Sequence, residues 1–371
     1  MQSAINSISS LSEYEHFVEH YKEIYINTKN NLNYFILQNA IQLSTLEIIE
    51  KRKYLFSTKL DVKVNLIYTS LDREVLRITL AKIVDEERLS GTIILDNSKQ
   101  ARITLIVSDA PSKFLTHVVS NFLDYLYPFY KRKFISSSQI KERLSLFLQQ
   151  SYQLTASMVS TKRWWEKPNK ILSTSSTIQF PQSLPIETVL SEIEKTKSFI
   201  NSITLNILDK AGKRRILRCY ISRFGRIQFK DGDYKLFKTL VLEPMTSQRL
   251  SKFRSEKETS GEIVPIKVNF ASGLESYNEK LIRDNFYNVI SKDRNYKLLL
   301  YHGGNPYYHI GITDSKDGST FDLLFYDSGS SKKTYEMLII PKLNVSMIAI
   351  DRLIERVFFR FGEGTIEKWQ Q

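Results

Sequence analysis

One cysteine, Cys219, in 371 residues removes two chemistries together: no disulfide can form within the chain, and no cysteine-based zinc site can be built. Its place in an alternating apolar run points to plain packing. Long hydrophobic runs are missing too. No stretch of eighteen apolar residues occurs, and the opening MQSAINSISSLSEYEHF has neither a basic leader nor an apolar core segment, so the expectation is a soluble cytoplasmic protein with no membrane span. Phosphate loops are also absent. There is no G-x-x-x-x-G-K-[ST] and no G-x-G-x-x-G after a strand, and Gly303-Gly304-Asn305-Pro306 is better taken as a turn between two strands. The sequence therefore names no nucleotide cofactor and no metal.

What is present is positive charge, and it is unevenly placed. Lys and Arg number 53 against 40 Asp and Glu, a net charge of +13 with a pI near 9.4, which favours an anionic partner. Residues 201–250 hold 11 Lys/Arg against 4 Asp/Glu, a surplus of 7, and no other block of fifty exceeds 4. The first fifty residues run the other way, with 2 against 6.

The basic block reads as an antiparallel hairpin, because side chains along a strand alternate between faces. Arg214, Ile216, Arg218 and Tyr220 share one face, with Arg215, Leu217, Cys219 and Ile221 opposite. After a turn at Arg223, Phe224 and Gly225, the return strand places Arg226, Gln228 and Lys230 against Ile227 and Phe229. Asp231-Gly232 signals a tight turn, and a further strand is expected over 236–241, with Phe237, Thr239 and Val241 alternating against Leu236, Lys238 and Leu240. If the apolar sides align, Arg214, Arg218, Tyr220, Arg226, Gln228, Lys230 and Lys238 lie on one exposed sheet face. Guanidinium forks suit phosphate oxygens and an aromatic among them suits a base, so the face fits a nucleic acid. A solvated sheet face also needs polar residues, and the local charge surplus is what favours the first reading.

A second candidate surface lies in SMVSTKRWWEKPNKILSTSST, where Trp164 and Trp165 stand among Lys162, Arg163, Lys167 and Lys170. Tryptophans among cations make a stacking platform for single-stranded bases. They equally make plugs that pin a linker onto a neighbouring domain.

The chain as a whole predicts an α+β protein: three segments, each a short antiparallel sheet packed with helices, preceded by an N-terminal helical pair. The expected divisions are 1–55 for the N-terminal helices, 56–155 for the first module, 156–176 for a basic linker, 177–260 for the central module and 261–371 for the last. Ser12 with Glu15 reads as a capping box, and Phe35, Ile36, Ala40, Ile41 and Leu43 read as a second helix. Phe114, Val118, Phe122 and Leu126, at steps of four, predict an apolar helix. RSEKETSGE reads as a charged connector and Ser272 with Glu275 as another capping box.

Three patterns in the sequence match catalytic or metal-binding arrangements, and each also fits a blander role. His16-x-x-Glu19-His20 matches a zinc-binding helix pattern but has no third ligand in view, and histidines on an acidic amphipathic helix suit solvent equally. Asp61-Val62-Lys63 echoes the carboxylate and lysine of metal-dependent nucleases, a triplet that also suits the polar face of a strand. Asp314, Asp317 and Asp322 cluster near Gly318, where Asp317-Gly318 is first a hairpin turn. Tyr301, His302, Tyr307, Tyr308 and His309 suit either an RNA-stacking surface or cross-strand aromatic pairs. The expectation is a non-enzymatic nucleic-acid-binding protein with a protein partner. The alternative is a non-catalytic interaction subunit of a larger nucleoprotein complex, companion to a nuclease or guide-binding protein.

Overall fold

The computed structural model describes residues 4–24, 31–39, 44–56, 60–98, 103–127, 129–149, 152–167, 170–246, 264–270, 279–304, 307–327 and 335–369. The fold is α+β, with antiparallel sheets, and it divides into two compact units. The first comprises 1–161, 176–195 and 199–247; the second comprises 162–175, 196–198 and 248–371. Among the described residues no helix is long and apolar enough to cross a membrane.

In the first unit a central strand, β1 (Leu32–Asn39), joins two halves of a sheet. On one side lie β2 (Asp61–Thr69), β3 (Arg73–Val84), β4 (Glu87–Ser98) and β5 (Ile103–Ser108), in the order β2-β3-β4-β5-β1. A short strand, β6 (Tyr130–Arg132), also pairs with β1. On the other side the order continues through β11 (Arg226–Gly232), β10 (Arg215–Ser222), β9 (Phe199–Leu208), β7 (Gln153–Lys167) and β8 (Lys170–Pro185). With β6, the described strands of this sheet number eleven. Strands from the expected first and central segments share this sheet, and β3, β4, β7 and β8 each have 12 or more residues, so the three-segment plan of short separate sheets does not describe it.

Residues 32–39 are a strand where a second N-terminal helix was expected. Tyr34 and Ile36 face one core while Phe35 and Leu37 face another, so apolar residues occupy both faces and the period of two disappears from the sequence. The following helix is only Thr45–Lys51, capped by Ser44, whose side chain accepts from Glu47 N. Ala40, Ile41 and Leu43 lie outside the described residues. The first helix does form, over Leu11–Ile24, but its capping glutamate is Glu13. Glu13 Oε2 accepts from Ser9 N at 2.7 Å and Ser10 N at 3.1 Å, which holds its carboxyl below the usual range, while Glu15 pairs instead with Arg73 at 2.9 Å.

The Ser/Thr-rich stretch expected as a linker is a β-hairpin, β7 with β8, since Ser and Thr are as compatible with a strand as with a connector. The helix predicted from Phe114, Val118, Phe122 and Leu126 is present over Ser112–Leu126, wound through a π turn at Leu115–Val119, and all four side chains are buried.

The second unit is a six-stranded antiparallel sheet, β13 (Tyr296–Gly303), β14 (Tyr307–Asp314), β15 (Thr320–Asp327), β16 (Tyr335–Leu343), β12 (Ile266–Phe270) and β17 (Gly364–Lys368), in that spatial order. The helices Glu279–Ser291 and Met347–Arg360 bury one face of it, with the Phe286 ring stacked on Phe325 at 4.0 Å and the Phe361 ring edge-on to both. The strands expected at 266–270, 297–301, 307–313, 321–326 and 335–340 all form. RSEKETSGE and Ser272 with Glu275 lie outside the described residues.

Candidate nucleic-acid interface

The β9-β10-β11 ribbon separates its residues by alternation as the sequence predicts. Leu217, Cys219, Ile221, Ile227 and Phe229 are buried in the core on one face, where burial pushes the Cys219 thiol up to about 12 and leaves it unreactive. Arg218, Tyr220, Arg226, Gln228 and Lys230 occupy the other face. Tyr220 sits across from Gln228 on β11 and from Thr204 on β9, and Gln228 sits across from Asn33 on β1. A bulge between Arg218 and Cys219 keeps Lys230 on the same side as Arg218, with its ammonium 5.8 Å above the Tyr220 ring.

Asn33 organises this face and is the residue sequence reasoning missed. Its Oδ1 accepts from Arg226 Nε at 3.2 Å, Arg226 Nη2 at 2.9 Å and Gln228 Nε2 at 2.9 Å. Its own amide donates to the carbonyls of Asn31 and Ser108, at 3.0 and 3.4 Å, which fixes the acceptor toward β11. The consequence is electrostatic. Asn33 positions the Arg226 guanidinium without neutralising it, and Phe35, across from Arg226, stacks under it at 5.8 Å.

The other cations are equally uncompensated. Arg218 lies across from Asp231, but that carboxylate pairs with Arg215 at 3.0 Å, and Arg218 Nε is buried without a hydrogen-bond partner. Among the described residues none of Arg218, Arg226 and Lys230 forms an ion pair with a carboxylate. Burial, then the charges of Arg218 and Arg226, hold the Lys230 ammonium below the usual lysine value. Burial likewise lowers the Arg226 guanidinium. Such a cluster disfavours its own charged state and gains from any anion brought to it.

The remaining predicted residues are not brought together with these. Arg214 precedes β10 at the exposed end of the hairpin, where its carbonyl accepts from Asp209 N at 2.9 Å. Lys238 is on no strand. Asp233 caps a helix at Tyr234–Phe237, its side chain accepting from Leu236 N at 2.9 Å, and the helix continues through Lys238–Leu242 and Glu243–Thr246. Tyr234, Phe237 and Val241 bury this helix in the core on the opposite face of the sheet from Arg218.

Lys162 is only 4 % exposed; its ammonium donates to the Phe359 carbonyl and lies 3.7 Å from the Phe359 ring centroid. Arg163 is exposed on the same strand, and the side chains of Trp164 and Trp165, also within β7, lie outside what is described. A Lys162→Gln protein is therefore expected to bind oligonucleotides within twofold of wild type while losing about 2 kcal/mol of stability, from the buried charged hydrogen bond. Parallel binding titrations and urea melts check both halves.

The residues of the three catalytic patterns have the following neighbours. His16 and His20 contact each other at 4.5 Å between ring centroids, and among the described residues no group of three His, Cys, Asp or Glu side chains could hold a metal ion. Asp61 is exposed and paired with Arg88 at 3.2 Å. Asp314 is buried against Arg352, Asp317 accepts from Ser319 N and Ser346 Oγ at 3.0 and 2.6 Å, and Asp322 pairs with His309 and Lys342 at 3.2 and 3.0 Å. Tyr301 with His309 and His302 with Tyr307 are neighbours across β13 and β14, each 4.7 Å apart. A scan against protein-family models and a search of curated proteins return no match to this chain.

Proposed function

We propose that this is a non-enzymatic nucleic-acid-binding protein that meets phosphate groups through the face bearing Arg218, Arg226 and Lys230. One observation carries the reading: three cations converge on one sheet face with no carboxylate among the described residues to neutralise them, in a chain whose other basic side chains often have one. Ordinary solvated sheet faces mix signs, because unscreened like charges cost energy. Phosphate oxygens supply the missing acceptors. Tyr220 serves here to hold Lys230 from one ring face, and Gln228 adds a neutral donor.

Titration of purified protein with single- and double-stranded DNA and RNA over a salt series tests this reading. Binding that weakens steeply with salt on at least one polymer is expected; no binding to any of the four at low salt would refute it.

The Lys230 shift adds a pH signature. Because folding depresses the lysine below its unfolded value, fewer protons are bound in the native state between the two values, so stability rises with pH across that window. Binding should move oppositely, weakening as the ammonium is lost at alkaline pH. Lys230→Arg, which stays charged, is expected to bind with no such alkaline loss. An identical pH profile in the two proteins would remove Lys230 from the site.

A second reading, a non-catalytic interaction subunit of a larger nucleoprotein complex, draws on a different observation. Leu299, Leu300 and Tyr301 are 59, 44 and 56 % exposed on β13, the edge strand of the second unit's sheet. An apolar sheet edge of this kind suits pairing with another chain. Solubility of the chain only when co-expressed with a partner would favour it.

A further inference from the structure

The second unit carries an aromatic surface of its own. We infer that the uncovered face of its sheet, at Tyr301, His302, Tyr307 and His309, is a further binding site, which takes unpaired bases of a single-stranded nucleic acid by stacking. No residue of the cation cluster on the first unit takes part in it. The aromatic side chains of this sheet sort by face. Tyr308 points to the helical side, where its hydroxyl donates to Asp284 Oδ1 at 2.9 Å and its ring stacks on Tyr287, and Phe321 and Phe325 are buried there too. Alternation along β14 therefore sends Tyr307 and His309 to the other side. β13 joins them through a bulge. Leu300 sits across from Ile310 and His302 across from His309, so Tyr301 and His302 together oppose one residue and both turn to the uncovered face. Their rings reach those of His309 and Tyr307 respectively, each at 4.7 Å. Tyr326, across from Tyr307, extends the row onto β15.

Exposure, spacing and seating distinguish these rings from pairs that only brace a sheet. Tyr301 and Tyr307 are 56 and 38 % exposed, and among the described residues neither hydroxyl forms a hydrogen bond. Bracing rings are ordinarily covered. Within the two pairs the rings are tilted by 50° and 41°, so they do not lie flush on each other and close off their faces. Tyr307 and His309 are two residues apart, which sets the pairs roughly 7 Å from one another along the strands, about twice the rise between stacked bases. Each pair thus has room for a base of its own. Gly311 provides the seat for Tyr301: a side-chain carbon there would stand 2.9 Å from Tyr301 Cε2, so it is the bare backbone that lets the ring lie down on the sheet.

The charges on this face suit the same ligand. Asp322 and Glu336, the carboxylates that β15 and β16 turn to it, are each paired with a lysine, Lys342 at 3.0 Å and Lys267 at 2.9 Å. Lys297, exposed across from Thr313, forms no ion pair among the described residues, and it leaves a cation for phosphate beside the rings. A duplex keeps the faces of its bases inside its own stack, so the strand must be single. A protein strand would pair with the edge of β13 through backbone groups and would make no call on rings that lie on the sheet face.

The test titrates the full chain with a short oligouridine, its deoxythymidine counterpart, and an abasic strand of equal length that has the phosphates and no bases. The base-bearing strands are expected to bind at least about 30-fold tighter than the abasic one, from two stacked bases. Tyr301→Ala with Tyr307→Ala should lower them to the abasic level and leave abasic binding unchanged, while Tyr301→Phe with Tyr307→Phe, which keeps the rings, should bind as wild type does. A second measurement needs no substitution: a strand bearing 4-thiouridine, irradiated on the wild-type chain, should crosslink within β13 and β14. Equal wild-type affinity for base-bearing and abasic strands would overturn the stacking site and leave the phosphate reading in place. A preference for bases that survives in the alanine variant, or crosslinks confined to the first unit, would overturn it as well. A preference lost in the alanine variant, with binding undiminished in the Arg218→Ala, Arg226→Ala protein, would keep the stacking site and remove the phosphate cluster. No binding of any strand would overturn both.

Discussion

Gly225→Ala is expected to lower the free energy of unfolding by about 3 kcal/mol and to abolish binding by the basic ribbon, although the substitution adds one methyl group. Gly225 closes the turn between β10 and β11 with φ of +67°, a conformation that costs an L side chain about 1–2 kcal/mol. The added carbon would also stand 2.6 Å from the Lys133 carbonyl oxygen and 3.0 Å from that of Ile36, both backbone atoms that cannot swing away. Those atoms belong to the framework of the site. Ile36 N donates to Gly225 O at 2.9 Å, Lys133 N to Ile36 O at 2.7 Å, and Ile135 N to Arg223 O at 2.8 Å, so the turn is knitted to β1 and to the segment after β6. Moving it shifts Arg226 away from Asn33. A urea titration read by circular dichroism measures the loss, and a change below about 1 kcal/mol would show that the turn relaxes where the packing says it cannot.

Replacing Arg218 and Arg226 together by Ala is the second large effect. Each should remove a charge-assisted contact of about 1.5–3 kcal/mol, so oligonucleotide affinity near physiological salt is expected to fall at least 100-fold. Arg215→Ala supplies the control. That side chain is exposed and already paired with Asp231, and its loss should change affinity less than threefold. If Arg215→Ala weakens binding as much as the double variant, diffuse charge and not the cluster is responsible.

The ribbon was legible in the sequence because one of its faces is apolar and the other is not. Leu217, Cys219 and Ile221 against Arg218 and Tyr220, then Ile227 and Phe229 against Arg226, Gln228 and Lys230, state a period of two with little ambiguity. β1 hid itself for the opposite reason: a strand covered on both faces has apolar residues at consecutive positions, and the run Tyr34-Phe35-Ile36-Leu37 passes equally for a buried helix. Lys238 was misplaced by a coincidence of spacing. Phe237 and Val241 are four apart, a step that a strand and a helix both allow, and Asp233, the cap that distinguishes them, directly follows the Asp231-Gly232 turn signal. Lys162 looked like part of a cationic surface because its partner, Phe359, is 197 residues away. Asn33 was invisible on the same grounds, since its partners Arg226 and Gln228 are 193 and 195 residues distant and only the assembled sheet brings them together.

What the sequence conveyed well was net charge by region, and what it could not convey was which charges are cancelled. Arg215 and Arg218 are three residues apart and indistinguishable by composition, yet one is paired with Asp231 at the surface and the other has a nitrogen buried without an acceptor. The most direct measurement is the dependence of duplex-DNA affinity on salt concentration, compared between the wild-type chain and the Arg218→Ala, Arg226→Ala protein. If these guanidinium groups hold phosphates, the log–log slope flattens by about two units. If the two lines run parallel, the cluster contacts no phosphate and the assignment fails.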